Sequence, residues 1–474
     1  MSKETGKRVV IIGGGPGGYA AAFMAADLGL DVTMIDLETN PGGVCLYRGC
    51  IPSKALLHVA KVLHEAEDAE HWGITYPKPK INLEKTRAAK DAVVAKMTGG
   101  LGQLCKARKV NYVQGRASFE DSTTIKVTSQ DGAEKLINTD YTILAAGSRP
   151  VTIPELFVES DRIWNSTTAL QLQEVPKSLL VVGGGYIGLE LGSVYAALGS
   201  KVTVVEMTPS LLPGADEDLV TVLAQRIEKN FESVLLNTKV VGVEEEKNGI
   251  AVTLEAADGK TRTETFDNVL VSIGRKPNSS GLGLNHTKVV VNARGFVEVD
   301  EQRRTADAAI FAIGDIAGDP MLAHKASHEG RVAAEVIAGH NVAFEPRAIP
   351  AVVFTDPELA WCGITEQQAK KENREVNVAR FPWSASGRAS TIHRNDGLTK
   401  LITEPETNRV LGVGIVGSGA GELIAQGVIA IEMGATATDV GMSIHPHPTL
   451  SETIMESADV IFGNATHLYR PKKK

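Results

Sequence analysis

One pattern occurs twice in this 474-residue chain, and it constrains the fold more than any other feature. Arg8-Val9-Val10-Ile11-Ile12 is a continuous apolar, β-branched run, the pattern of a parallel strand buried on both faces. Gly13-Gly14-Gly15-Pro16-Gly17-Gly18 follows, then an Ala-rich helical stretch Tyr19–Leu28, a second strand Val32–Ile35, and Asp36. The order recurs from Ser178 to Val182, with Gly183-Gly184-Gly185-Tyr186-Ile187-Gly188, a helix Leu189–Leu198, a strand Lys201–Val205 and Glu206. In both copies the acid stands 18 residues after the third glycine. Gly13, Gly15 and Gly18, and likewise Gly183, Gly185 and Gly188, let the backbone turn tightly and approach a pyrophosphate, which a helix N-terminus attracts. Asp36 and Glu206 stand where a carboxylate accepts ribose hydroxyls. A lone G-x-G-x-x-G is weak evidence, but two copies in matched strand, helix and acid context are strong. The chain is expected to hold two dinucleotides on two Rossmann-like units.

The two ligands need not be the same. Met207-Thr208-Pro209 follows Glu206, with no Arg or Lys nearby to receive a 2′-phosphate, so the second site is expected to take NAD rather than NADP. The first site is followed by Cys45 and Cys50, two of only four cysteines. Their spacing is neither C-x-x-C nor a zinc pattern. Alone, such a pair is either structural or a redox dithiol. Beside a nucleotide loop it suggests a dithiol that exchanges electrons with a flavin. Tyr141–Pro150 and Val269–Pro277 each read as a strand broken by a Gly turn and closed by Pro, which suits a domain exit. Helical stretches are expected near Lys54–Glu70 and Asn82–Ala107, and an alternating strand at Thr124–Val127. After Ile349-Pro350 short strands alternate with helical segments Thr365–Lys371 and Gly421–Met433.

The net charge of −8 argues against nucleic acid as a partner, since phosphate binding favours a basic face. No apolar stretch is long enough for a membrane span, and Met1–Arg8 has no signal-peptide core. Four cysteines make no disulfide framework, so a reducing, cytoplasmic setting is expected. The terminal Lys472–Lys474 reads as a frayed, solvated tail.

The run Gly49-Cys50-Ile51-Pro52-Ser53-Lys54-Ala55-Leu56-Leu57 resembles the signature of the pyridine nucleotide–disulfide oxidoreductases, and within them the branch that oxidises dihydrolipoamide. Phe311-Ala312-Ile313-Gly314-Asp315, Met321–Lys325 and His445-Pro446-His447-Pro448-Thr449-Leu450-Ser451-Glu452 extend the resemblance over essentially the whole chain, in the family's order. The resemblance implies an α/β fold of two Rossmann-like dinucleotide-binding domains plus a C-terminal α+β dimerisation domain. It divides the chain into an FAD-binding domain (1–150), an NAD-binding domain (151–278), a segment completing the FAD site (279–349) and a dimerisation domain (350–474).

For the site, the resemblance implies FAD held by Gly13, Gly15, Gly18, Asp36, Gly43, Lys54, Ala117, Gly147, Asp315 and Ala323. It implies NAD held by Gly183, Gly185, Tyr186, Ile187, Gly188, Glu206, Val240, Gly274 and Arg275. Cys45 would attack substrate and Cys50 would face the flavin. Lys54 would pair with Glu190 beside the ring. His447, oriented by Glu452, would be the base, supplied by the second chain of a homodimer. No metal is implied. Read as bare residues, Asp315 is a helix N-cap, Lys54 a solvated helix residue and His445 a loop histidine that competes with His447. The implied activity is oxidation of protein-bound dihydrolipoamide with NAD⁺ as acceptor. Its substrate would be carried on the lipoylated acyltransferase, or lipoyl carrier protein, of a 2-oxo acid dehydrogenase or glycine-cleavage complex.

The sequence departs from close relatives at Tyr47-Arg48, where Asn-Val is common. Arg48 either faces outward in a turn or lowers a thiolate pKa. Cys105 and Cys362 lie outside every motif and read as packing residues. A glutathione-reducing relative would want basic residues after Glu206, and a mercury-reducing one a further Cys pair near the C-terminus. A non-catalytic flavin-binding subunit would have no use for Cys45, Cys50, Lys54, His447 and Glu452 together.

Overall fold

The computed structural model describes residues 6–153 and 158–469, so the Lys472–Lys474 tail lies outside the described residues. Arg8–Ile12 is the central strand of a five-stranded parallel sheet, between Asp31–Asp36 and Tyr141–Leu144, with Asn111–Gln114 and Ile310–Ala312 at the edges. Val9 and Ile11 face one apolar cluster, Val10 and Ile12 another. Both faces are covered, which is why the run shows no polar alternation. Each of these side chains contributes roughly 1.5–3 kcal/mol by its burial.

The second copy repeats the arrangement. Ser178–Val182 lies between Lys201–Val205 and Asn268–Val271, with Ser233–Leu235 and Ile163–Trp164 outside. The two sheets differ in the source of the fifth strand. In the second it precedes the central strand, whereas in the first it returns at residue 310, after the whole second unit. The strands that close the two exits pair with each other: Ser148–Pro150 runs antiparallel to Arg275–Pro277. Each unit also carries a three-stranded antiparallel sheet, 116–138 on the first and 239–266 on the second.

The glycine helices begin three residues earlier than their hydrophobic pattern suggests, at Pro16 and Tyr186. Proline is tolerated there because a first-turn amide has no partner to lose. Asn82, expected inside its helix, instead caps it by accepting from the Lys85 amide.

The C-terminal part is a five-stranded antiparallel sheet flanked by the helices Ala420–Glu432 and Glu452–Phe462. It is fixed to the second unit by fully buried Lys400, whose Nζ lies 2.9 Å from Asp216, 2.6 Å from Asp218 and 2.5 Å from Glu366. Three carboxylates converge there in a manner that could hold a metal, and the Lys400 ammonium supplies the cation. Among the described residues no helix is long and apolar enough to cross a membrane.

Gly18 and Gly188 act within the fold. A Cβ on Gly18 would stand 1.8 Å from Gly13 O, and one on Gly188 2.3 Å from Gly183 O. Each lets its helix sit against its own loop. Gly18→Ala is therefore expected to cost about 1–3 kcal/mol by overpacking, seen as a lower thermal midpoint. An unchanged midpoint would contradict this seating of the helix.

Candidate active site

Cys45 lies in the short Gly43–Arg48 helix, and Cys50 is the first residue of the Cys50–Asp68 helix. Gly49 makes the return between them. A Cβ there would meet Val44 O at 2.8 Å and Cys45 Cα at 3.2 Å, so the tight return needs glycine. The thiol segment sits directly on the first nucleotide loop. The Gly42 amide donates to Gly14 O at 2.7 Å, and a Cβ on Gly43 (φ +55°) would stand 2.5 Å from Gly15 Cα.

Both cysteines are free thiols, and they are hydrogen-bonded to each other. The bond from Cys45 depresses the Cys50 thiol against the opposing effect of burial, and the Lys54 charge adds to the depression. The same bond, together with burial, pushes Cys45 up. Cys50 also occupies a helix N-terminus, where the dipole favours a thiolate. Of the two thiols, Cys50 is thus the one more readily ionised and Cys45 the one that holds its proton more firmly.

The two thiols share a cavity with Gly13, Gly15, Asp36, Gly43, Lys54, Gly147, Glu190, Asp315 and Ala323. Ala117 lines an adjoining crevice with Asp36 and Gly115. Lys54 Nζ lies 2.8 Å from Glu190 Oε2 and 4.5 Å from the centre of the Phe354 ring. Glu190 is buried, and its other oxygen accepts from the Phe354 amide at 3.0 Å. That contact joins all three parts of the fold. Phe354 has no signal in the sequence, because only tertiary packing brings it there.

A second cavity is lined by Gly183, Gly185, Tyr186, Ile187, Glu206, Val240, Gly274 and Arg275. Tyr186, Ile187, Arg275 and Met321 line both cavities, so the two share a wall. Asp36 and Glu206 tie their glycine loops by accepting from the Gly14 amide at 2.5 Å and the Gly184 amide at 2.7 Å.

Three expectations need correction. Gly18 and Gly188 do not line these cavities, because each presses its α-carbon on the loop beneath. Asp315 is not a side-chain N-cap. It lies inside the short Gly314–Ile316 turn of helix and accepts from Ser148. Lys239 does line the Glu206 cavity, although no basic residue stands near Glu206 in sequence, but its Nζ is held 2.9 Å from Glu255. Arg48 is half-exposed and ion-paired to Glu38 at the cavity wall. Cys105 and Cys362 are buried, and burial pushes their thiols up to about 11 and about 12.

His447 does not line the thiol cavity of its own chain. Its side chain is 73% exposed, and Nδ1 lies 2.9 Å from Glu452 Oε1, which leaves Nε2 free. Burial would raise the Glu452 carboxyl, but the Thr449 amide and His447 outweigh it and hold Glu452 below its usual range. Among the described residues, His445 bonds its own loop, at Ser443 O, 2.8 Å. Met433, Met442, Ile444 and Tyr469 are exposed on the same C-terminal part, with Ile444 at 99%.

The glycines and donor set fit a dinucleotide in each cavity. A Cβ on Gly185 would meet no atom within 4 Å and one on Gly15 only the Gly43 Cα, so both backbones are open to a ligand. Two nucleotide cavities sharing a wall, with a dithiol in one, define a dinucleotide-dependent thiol–disulfide redox protein. Residues 7–330 match the pyridine nucleotide-disulphide oxidoreductase family, and residues 349–458 match that family's dimerisation domain. The chain belongs to this family. It is 51% identical to the dihydrolipoyl dehydrogenase of Haemophilus influenzae and 49% identical to that of Vibrio cholerae, each over 100% of this chain and 99% of the relative. Among solved structures it matches LpdA from Mycobacterium tuberculosis with a TM-score of 0.89 at 29% identity. The match covers 96% of this chain and 99% of the other.

The two cations near the thiols make different predictions. Lys54→Met is expected to move the Cys50 titration upward, read as thiolate absorbance against pH in the reduced protein. Arg48→Val leaves it unchanged, because Glu38 neutralises Arg48. The opposite ranking would contradict this electrostatic assignment.

Proposed function

We propose that the protein is a dihydrolipoyl dehydrogenase, a flavoprotein that oxidises protein-bound dihydrolipoamide to lipoamide and reduces NAD⁺ to NADH. The observation that carries this reading is the shared wall: the dithiol and Lys54 line one dinucleotide cavity, and Tyr186, Ile187 and Arg275 line both. Full-length relatives bearing that name support the substrate.

In this reading FAD would be held in the first cavity by the Gly13–Gly15 loop, Asp36 and Asp315. When bound, FAD would supply the redox chemistry that links the electron pair of the dithiol to hydride transfer to NAD⁺. The steps made by the chain's own residues follow from the thiol electrostatics. A substrate thiolate attacks Cys45 Sγ of the oxidised pair, forming a mixed disulfide. Cys50 Sγ leaves as the thiolate, which the Lys54 charge and the helix N-terminus stabilise. His447 Nε2 accepts the proton of the attacking thiol, and Glu452 on Nδ1 holds the ring and stabilises its positive charge. The second substrate thiol then attacks the substrate sulfur of the mixed disulfide, releasing lipoamide and leaving Cys45 reduced. Lys54 stands beside the Cys50 thiolate, held by Glu190.

Because His447 is exposed and away from its own chain's thiols, the reading includes a homodimer in which each chain's His447 serves the partner's pair. The lipoyl group would arrive on a lipoylated carrier protein, in a reducing, cytoplasmic setting. At the second site Glu206 would repel a 2′-phosphate, with Lys239 already committed to Glu255.

Two assays test the reading. Dihydrolipoamide oxidation is expected with NAD⁺, at least about 100-fold above the rate with NADP⁺. Comparable use of both nucleotides would overturn the specificity assignment. His447→Gln is expected to lower dihydrolipoamide turnover by about 10²–10⁴-fold. Reduction of ferricyanide by NADH, which bypasses the dithiol, stays near the wild-type rate. Parallel loss of both activities would contradict the role given to His447.

A further inference from the structure

A single hydroxyl connects the two cavities. Ser148 is buried on the strand that closes the first unit, and Arg275 opens the antiparallel strand that closes the second. Arg275 Nε donates to Ser148 Oγ at 2.7 Å, and Arg275 Nη2 donates to Ser148 O at 2.7 Å. Ser148 Oγ in turn donates to Asp315 Oδ2 at 2.5 Å. The direction is forced. A guanidinium has only donors, so the serine must accept from it and spend its one proton on the carboxylate. Arg275 lines both cavities, whereas Ser148 and Asp315 line the thiol cavity.

The chain continues behind Asp315. The amide of neighbouring Gly314 donates to Glu329 Oε2 at 2.6 Å, and Glu329 is fully buried between Arg303 and Lys325. The backbone under Asp315 is therefore pinned, and its carboxylate is the part left to be oriented. Ser148 occupies Oδ2 and leaves Oδ1 for a ligand.

We propose that Ser148 is a positioning residue that sets the Asp315 carboxylate for the bound flavin nucleotide and couples it to Arg275, so that the second cavity's wall influences flavin retention. The proposal rests on the reading of the first cavity as an FAD site. A bond to a charged partner in a buried place predicts at least about a tenfold effect on the ligand it serves. Coupling between the two ligands must then be reciprocal.

The test is a double-mutant cycle on the full-length holoenzyme. The rate of FAD release is read as the gain in flavin fluorescence. S148A and R275M are each expected to speed release at least about tenfold. The double variant should release within about twofold of the faster single variant, because both break one chain of bonds. Release from S148A at the parent rate overturns the proposal. So does an R275M effect that persists in full on the S148A background, which would mean that Arg275 acts on the flavin directly. If S148A yields no folded protein, parent-like release from R275M overturns it alone. A purified parent protein that holds no FAD overturns the cofactor reading and the proposal with it.

Discussion

The contact on which this molecule depends is backbone against backbone: Gly43 rests on Gly15. There is room there for no side chain, since a Cβ would come within 2.5 Å of the facing α-carbon. The close approach seats the thiol helix on the nucleotide loop, aided by the bond from the Gly42 amide to Gly14 O. Cys45 and Cys50 thereby line the cavity, with the glycine loop and Lys54 around the same space. A dithiol can exchange electrons with a bound ring only when both are held at fixed distance, and a packed backbone is the stiffest way to hold them.

Electrostatics then separate two chemically identical thiols. Cys50 begins a helix and has Lys54 one turn along, whereas half-buried Cys45 is hydrogen-bonded to Cys50 and the cation on its own short helix, Arg48, is paired to Glu38. The cation is kept in place by buried Glu190, which also holds the Phe354 amide, so one carboxylate ties the thiol helix to the second unit and the C-terminal sheet. Removing it would leave an uncompensated charge in a partly buried place, which costs several kcal/mol. Lys400, enclosed by Asp216, Asp218 and Glu366, makes a second joint between the same units. The cavities are assembled between parts whose relative placement these ion pairs fix.

Much of this was legible in the sequence because local chemistry demands it. The strand–glycine–helix–acid run needs particular residues at particular spacings, and both copies read directly from Arg8–Asp36 and Ser178–Glu206. The Cys45–Lys54 run was equally plain, as was the C-terminal α+β character. What escaped depends on tertiary placement. The fifth strand of the first sheet returns at Ile310 after an entire second unit, and nothing local announces its partner. Lys239 reaches the Glu206 cavity from a strand far along the chain. The roles of Gly18 and Gly188 were misassigned for a different reason. The motif treats its glycines alike, but only packing distinguishes one that faces a ligand from one that faces its own loop. Arg48 could not be decided without knowing that Glu38 stands opposite.

In the proposed homodimer the redox site is complete only when His447 of one chain meets Cys45 and Cys50 of the other. Complementation between inactive chains tests it most directly. Cys45→Ser and His447→Gln homodimers, each nearly inactive with dihydrolipoamide, are to be mixed by co-expression. Half of randomly paired dimers are then mixed and carry one intact site, so activity should return to roughly a quarter of the wild-type rate. Activity no higher than the sum of the two inactive homodimers would contradict the shared site and return the base to the same chain as the thiols.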